Sequence, residues 1–351
     1  MRKLLLVAFI ALFATPVLAD YTFVIPQKPG GGTSVWAQIV AAELEKKLGE
    51  RIVLKHIPGA RDIPGFNKFH NELQHDDKTV MVSHGGNGVS FLQEKVDYNY
   101  ADYDSVGLMN LNIIVGHKTK YVKGEKVKFA AGSGMVPEGI AMTLLLCGGG
   151  KTTAEYVQCF KDNVTWVHGM SGGQRRLAYK RGELNGTREN PAAFKKHVQP
   201  SIDTGDSEVW FHHGILNPAT GTHSDDPNYP GFQMEILFKE TYGSEPSGSL
   251  YDAYKLVKSF RDGLQKALWV RKGNPNLAKL RQALTDMAND PKSIAAIQKK
   301  VGQYEWIIGE EGNKHRDTLM TFITEDALKT LIDFNKKALG LSSVYKPELV
   351  E

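Results

Sequence analysis

The chain is poor in cysteine, in long apolar runs and in charge of one sign. It carries two cysteines among 351 residues, Cys147 and Cys159. Two thiols cannot make a zinc site by themselves, and this spacing does not fit a C-x-x-C motif. They are read as a local disulfide formed in an oxidising compartment, the alternative being two free buried thiols. Beyond Ala19 no apolar run is long enough to span a membrane. The formal net charge is only +4, and Arg2 and Lys3 account for two of those charges. With no dense Lys/Arg stripe, a nucleic-acid footprint is excluded. Low-complexity runs are absent, so a folded globular protein is expected.

Nucleotide and metal motifs are also missing. Gly148-Gly149-Gly150-Lys151-Thr152 lacks the first glycine of a phosphate-binding loop, Leu145 standing in its place. Gly132-Ser133-Gly134 lacks the third glycine of the dinucleotide fingerprint, where Pro137 stands. His212, His213, His223, Asp225 and Asp226 have no regular spacing and are read as solvated or core-edge side chains, not metal ligands. Glu138 is read as a helix-start residue placed favourably by the dipole, since no nucleophile-and-base pattern accompanies it. No cofactor, metal or catalytic residue is expected.

What is present begins with a targeting segment. Arg2 and Lys3 precede an apolar stretch from Leu4 to Phe13 and a small-residue region ending at Ala19. Residues 1–19 are expected to be a signal peptide cut after Ala19. About 330 residues follow, more than one core usually serves, so two lobes are expected.

The organising stretch is Pro26-Gln27-Lys28-Pro29-Gly30-Gly31-Gly32-Thr33-Ser34. Tyr21–Ile25 before it reads as a strand. Residues 35–48 after it read as a helix with apolar positions three or four apart, Thr33 or Ser34 being its N-cap. A glycine run at a helix start offers backbone N–H groups and the positive end of the dipole to an anion. The plainer alternative is a tight turn between strand and helix. Arg51–His56 and Thr79–Ser83 read as further strands, with a helix at Phe66–Leu73 between them. This order implies a parallel sheet, and loops 29–34, 58–62 and 83–87 gather at its carboxyl edge, where ligands bind in such sheets. Lys126–Ala131 followed by residues 132–139, and Val164–His168 followed by residues 169–173, repeat the strand, small loop, helix-start design. Strands are also read at 104–109, at Ile113–His117 as a crossing between lobes, and at Glu208–Leu216 as a return. The C-terminal part reads as helices at Ser249–Leu268, Asn276–Asn289, Pro291–Val301 and Thr318–Leu339.

In order and spacing these motifs resemble the periplasmic solute receptors of tripartite tricarboxylate transporters, the Bug-type receptors, over nearly the whole length. The family's Pro-Gly-Gly-x-x-Asp-x-x-Ala-Arg stands here as Pro29-Gly30-Gly31-Gly32-Thr33-Ser34-Val35-Trp36-Ala37-Gln38, and its Asn-x-Pro-Gly-Ala-Gly-Gly as His56-Ile57-Pro58-Gly59-Ala60-Arg61-Asp62. Asp77-Lys78-Thr79 matches its Asp-Gly-Thr turn. Gly169-Met170-Ser171-Gly172 and Leu177-Ala178-Tyr179-Lys180-Arg181-Gly182-Glu183 match a branch of the family. The resemblance implies a two-lobed α/β periplasmic-binding-protein fold, each lobe a mainly parallel sheet flanked by helices. Residues 20–112 and 216–351 would form lobe I, and 113–215 lobe II. It implies a small organic anion, typically a carboxylate, delivered as cargo by a monomer to integral membrane transporter subunits. The candidate ligand set is Gly30, Gly31, Gly32, Thr33, Ser34, Ser83 and His84 from lobe I, and Gly132, Ser133, Gly134, Met135, Ser171 and Gly172 from lobe II. Arg61 stands where the family has a glycine and is read either as a two-pronged carboxylate ligand or as a solvated loop side chain. Ser34 and Gln38 replace the family's Asp and Arg, which removes a repulsive carboxylate from beside the anion site. A periplasmic partner of a membrane sensor kinase and an exported α/β hydrolase are the alternative readings.

Overall fold

The structure, a computed structural model, describes residues 20–59, 62–119, 125–132, 137–302, 305–341 and 345–346. The expected leader 1–19 and the candidate residues Arg61, Ser133, Gly134 and Met135 lie outside them. The chain opens with β1 (Tyr21–Ile25), α1 (Gly32–Leu48), β2 (Ile52–His56), α2 (Ile63–Asn71), β3 (Thr79–His84) and β4 (Tyr103–Met109). The middle part holds β5 (Ile114–Lys118), β6 (Val127–Ala131), α3 (Glu138–Cys147), α4 (Thr153–Asn163), β7 (Val164–His168), α5 (Gly172–Lys180) and β8 (Gly186–Glu189). It continues through α6 (Pro191–His197), α7 (Gln199–Asp203), β9 (Ser207–His212), β10 (Ile215–Leu216) and β11 (His223–Ser224). The last part is α8 (Met234–Tyr242), α9 (Ser249–Gly263), β12 (Lys266–Arg271), α10 (Leu277–Asn289), α11 (Pro291–Val301), β13 (Ile307–Ile308), α12 (Glu310–Met320) and α13 (Glu325–Lys337).

One six-stranded sheet runs β13-β4-β12-β3-β1-β2. Its β2-β1-β3 half is parallel, as strands joined by helical crossovers must be. β12 inserts antiparallel between β3 and β4. The middle part forms a three-stranded antiparallel sheet, β8-β5-β9, and a parallel pair, β6-β7. Pairing there is thus mixed rather than mainly parallel, because β8 and β9 flank β5 on either side and both run against it.

The large sheet is buried on both faces, and its strands show it by alternation. Tyr21, Phe23 and Ile25 join the cluster under α1 and α10, while Val24 joins the cluster on the other side. Leu268 and Val270 alternate in the same way with Ala267 and Trp269. Each such fully buried side chain contributes about 1.5–3 kcal/mol. A smaller cluster around Ile114, Tyr179 and Phe194 serves the antiparallel sheet.

Three sequence expectations need correction. The helix read through Leu268 ends at Gly263, and the apolar run after it is β12. A short run that is apolar on both faces has no period by which a strand can be told from a helix. The strand read as Glu208–Leu216 divides: β9 pairs with β5, and β10 pairs with β11, with Gly214 at φ +87° between them. The helix read as Thr318–Leu339 is two helices, because the Thr324 hydroxyl accepts from the Ala327 N–H and starts α13 afresh. Cys147 and Cys159 are joined in a disulfide, Cα–Cα 6.4 Å, which ties α3 to α4.

Candidate functional site

The glycine run begins where β1 ends. Gly30 takes φ +82°, a conformation that side chains resist, and α1 starts at Gly32 with Gly31 as N-cap. Thr33 and Ser34 are therefore inside the first turn and do not cap the helix. Two of the expected donors are used within the turn: the Gly30 N–H donates to Ser34 Oγ (3.3 Å) and the Gly31 N–H to the Lys28 carbonyl (3.4 Å). The N–H groups of Gly32, Thr33 and Ser34 occupy the first three helical positions, which have no carbonyl behind them within the helix. Ser34 is buried, and its Oγ also meets His56 Nε2 at 2.9 Å. Burial lowers the His56 pKa and favours its neutral ring.

The loops at the ends of β1, β2 and β3 converge on His84. Its Nδ1 accepts from the Gly86 N–H (2.9 Å), which places the ring proton on Nε2. Nε2 lies 2.5 Å from Asp62 Oδ2 and 2.6 Å from the Gln27 amide. Asp62 itself sits at φ +66°, an uncommon conformation for a side-chain-bearing residue. Ser83 turns the other way: fully buried, it accepts from Trp269 Nε1 at 2.8 Å and belongs to the core.

Sequence reasoning missed Lys266. It lies opposite His84 across the β3–β12 pairing, and its Nζ donates to Thr33 Oγ1 at 3.1 Å, beside the first turn of α1. Burial pushes its pKa down to about 7, Asp62 acting against the shift and Arg261 with it. No local motif marks this lysine, because its strand read as the end of a helix.

On the middle part, Gly132 follows β6 and Ser171 caps α5. The Ser171 N–H donates to Gln174 Oε1 (2.8 Å) and Ser171 Oγ accepts from the Gln174 N–H (3.4 Å), a closed capping box. A Cβ on Gly132 would stand 3.9 Å from Arg175 Nη1, and one on Gly172 3.9 Å from Arg175 Nη2. Both candidate glycines therefore lie beside one guanidinium that the sequence did not single out.

Arg175 belongs to a buried ionic group. Glu138, fully buried in the first turn of α3, has Oε1 3.2 Å from Arg188 Nε and 3.8 Å from Arg261 Nη1. It makes no capping bond; the two arginines hold it instead. Arg176 grips Glu189 with two bonds of 2.8 Å. Burial lowers the Arg175 pKa; Glu189 and Glu138 oppose the shift, and Arg261 and Arg176 add to it. Arg261 acts on the charge of both Lys266 and Arg175, so it links the α1 start to this group. Its backbone is pressed against the loop after β3, where a Cβ on Gly85 would run into the Arg261 carbonyl.

Two of the three histidines set aside in the sequence are paired, while His223 Nε2 is buried without a hydrogen-bond partner among the described residues. His213 Nδ1 meets Asp262 Oδ2 at 2.8 Å with both fully buried, and His212 Nε2 lies 3.0 Å from Asp225. Among the described residues no group of three or more His, Cys, Asp or Glu could hold a metal ion.

A mixed α/β chain with ligand-capable loops at the strand ends of separate sheets has the fold of the two-lobed periplasmic solute-binding proteins. Among solved structures it is similar to the periplasmic binding protein BugD (TM-score 0.55, 16% identity, 91% of this chain and 97% of that one). It is similar also to R. palustris Rpa4515 with adipate (0.56, 12%, 89% and 97%) and to MatC from Rhodopseudomonas palustris with bound malate (0.51, 16%, 90% and 98%). At such identities the likeness is one of fold. No family model and no curated protein sequence matches the chain.

Proposed function

We propose that this protein is an exported receptor of the Bug type that captures a small organic anion and delivers it to a tripartite tricarboxylate-type membrane transporter. The observation that carries the reading is the start of α1: the free helical N–H groups of Gly32, Thr33 and Ser34 with Lys266 Nζ beside them on Thr33. In this reading residues 20–112 and 216–351 make one lobe and 113–215 the other. The lobes close by hinge motion and take the ligand out of water. A carboxylate is the favoured ligand class, since adipate and malate occupy two proteins of this fold. The protein works in the periplasm as a monomer, and it binds its cargo without transforming it.

A thermal-shift screen of the purified protein against small carboxylates, amino acids, sugars and metal ions tests the proposal. A ligand that binds only the folded state raises the melting temperature by mass action. The expected result is a shift with one class of carboxylate. A shift with a sugar, cation or metal, and with no carboxylate, overturns it.

A further inference from the structure

The ionic group around Glu138 is not balanced. Four guanidiniums, of Arg175, Arg176, Arg188 and Arg261, face two carboxylates, those of Glu138 and Glu189. Arg176 and Glu189 satisfy each other in a two-pronged pair. That leaves Arg188 and Arg261 on Glu138, with Arg175 feeling both carboxylates and paired with neither. Asp262, the neighbour of Arg261, is turned to His213 and gives no relief.

These arginines are also poorly hydrogen-bonded, as is Glu138, both of whose carboxylate oxygens lack a hydrogen-bond partner among the described residues; Arg175 Nη1 donates to the Met170 carbonyl at 3.4 Å. They are 9%, 8% and 6% exposed, for Arg175, Arg188 and Arg261. Among the described residues, Arg175 Nε, Arg188 Nε and both Nε and Nη1 of Arg261 have no hydrogen-bond partner, although Arg188 and Arg261 lie near Glu138. Buried charged donors without acceptors are costly and rare in folded proteins. They come from three separate elements, α5, β8 and the end of α9, around Glu138 on α3, and Arg175 stands beside Gly132 and Gly172. A structural ion pair needs two partners; a surplus of buried guanidiniums with idle N–H groups fits an anion that completes the set.

We infer that Arg175, Arg188 and Arg261 form the charge-selective part of the binding site, and that the ligand is an oxyanion carrying two negative charges. This rests on the anion-receptor reading and deepens it. One charge would leave the surplus half unmet, and two match it. Glu138 then acts as a gate on charge: it repels any anion, and only a dianion gains enough from three guanidiniums to overcome it. The two charges belong either to one compact group or to two carboxylates on one small molecule.

Calorimetric titration of the purified protein at about pH 7.5 with two matched pairs decides this: succinate against monomethyl succinate, and sulfate against nitrate. The expected result is a preference of about tenfold or more for the dianion in at least one pair, and the pair that shows it tells which source of charge is used. Arg175→Gln and Arg188→Gln reduce that preference toward unity. Glu138→Gln, which removes the opposing charge and keeps the side chain's shape, strengthens anion binding while lowering the ligand-free melting temperature. If monoanions bind as well as dianions in both pairs, the inference falls and the anion receptor stands. If the arginine variants melt earlier yet keep the full dianion preference, the group is structural and the inference falls. If none of the four anions binds, the inference falls, and the thermal-shift screen decides the anion-receptor reading. Should Arg175→Gln not fold, the wild-type pairs and Glu138→Gln still decide.

Discussion

The two ends of the candidate site are built by different means. At the first, around α1 and β3, the groups on offer are backbone N–H dipoles, hydroxyls, a His84–Asp62 pair and one lysine pushed toward neutrality. At the second, around α3, α5 and β8, they are full charges buried together. Dipoles fixed by a helix cost little to keep dry, because the fold has already oriented them. Guanidiniums and a carboxylate without water hold one another up, and removing a single partner leaves the others exposed to the full cost of desolvation. The first end should therefore tolerate side-chain changes that the second does not.

The sharpest way to break this contrast is Glu138→Leu. It leaves Arg188 and Arg261 buried without a counter-ion, and a loss of about 3–5 kcal/mol is expected in urea unfolding. A loss below about 1 kcal/mol would mean that water reaches the group and that the two ends do not differ. At the first end, Ser83→Ala leaves the buried Trp269 indole N–H without its acceptor, and unfolding should record a loss of about 1–3 kcal/mol with ligand affinity unchanged. A fall in affinity would return Ser83 to the site.

Lys266 gives a signature in pH. Its pKa is lowered in the folded chain to about 7, so between that value and its unfolded pKa near 10.4 the unfolded chain binds more protons. Stability from this group therefore rises with pH through that window, by at most about 1.4 kcal/mol per unit, and is flat below about pH 7. The difference in urea midpoint between wild type and Lys266→Met, followed from pH 7 to 9.5 (roughly the lower part of the window), should show the wild type gaining on the variant. Parallel profiles would mean that Lys266 is solvated. The smallest effect is expected for Ser171→Ala, about 1 kcal/mol from the lost cap on α5. If anion affinity drops as well, Ser171 is a ligand and not only a cap.

The contrast also explains how much could be read in advance. The first end is a run of neighbours in sequence: a strand, glycines and a helix start announce the turn at 30–34, and the same logic gathers the loops at 58–62 and 83–87. Lys266 was not legible, since a strand buried on both faces carries no alternation of polar and apolar residues, and Ala267-Leu268-Trp269-Val270 continued a helix as naturally as it began a strand. Ser83 was legible as a loop residue but not as a partner of Trp269, which comes from that same unread strand. The ionic group could not be read at all. Arg175 and Arg188 look like solvated surface charges within their segments, Arg261 lies in an amphipathic helix, and Glu138 looked like a helix-start acid. Only the packing of four elements makes them one object.

The late position of β12 sets an order of events for the growing chain. β3 and β4 are its neighbours on either side, yet neither can find it until residue 271 has been made. Until then both strands present open edges, and the helices that should cover them have no finished surface to land on. Folding of the large sheet must wait for nearly the whole polypeptide, and long-range pairing of this kind is slow. For the exported receptor proposed above, which would cross a membrane before it folds, that delay would be useful: a chain whose central strand arrives late remains threadable while it is being moved.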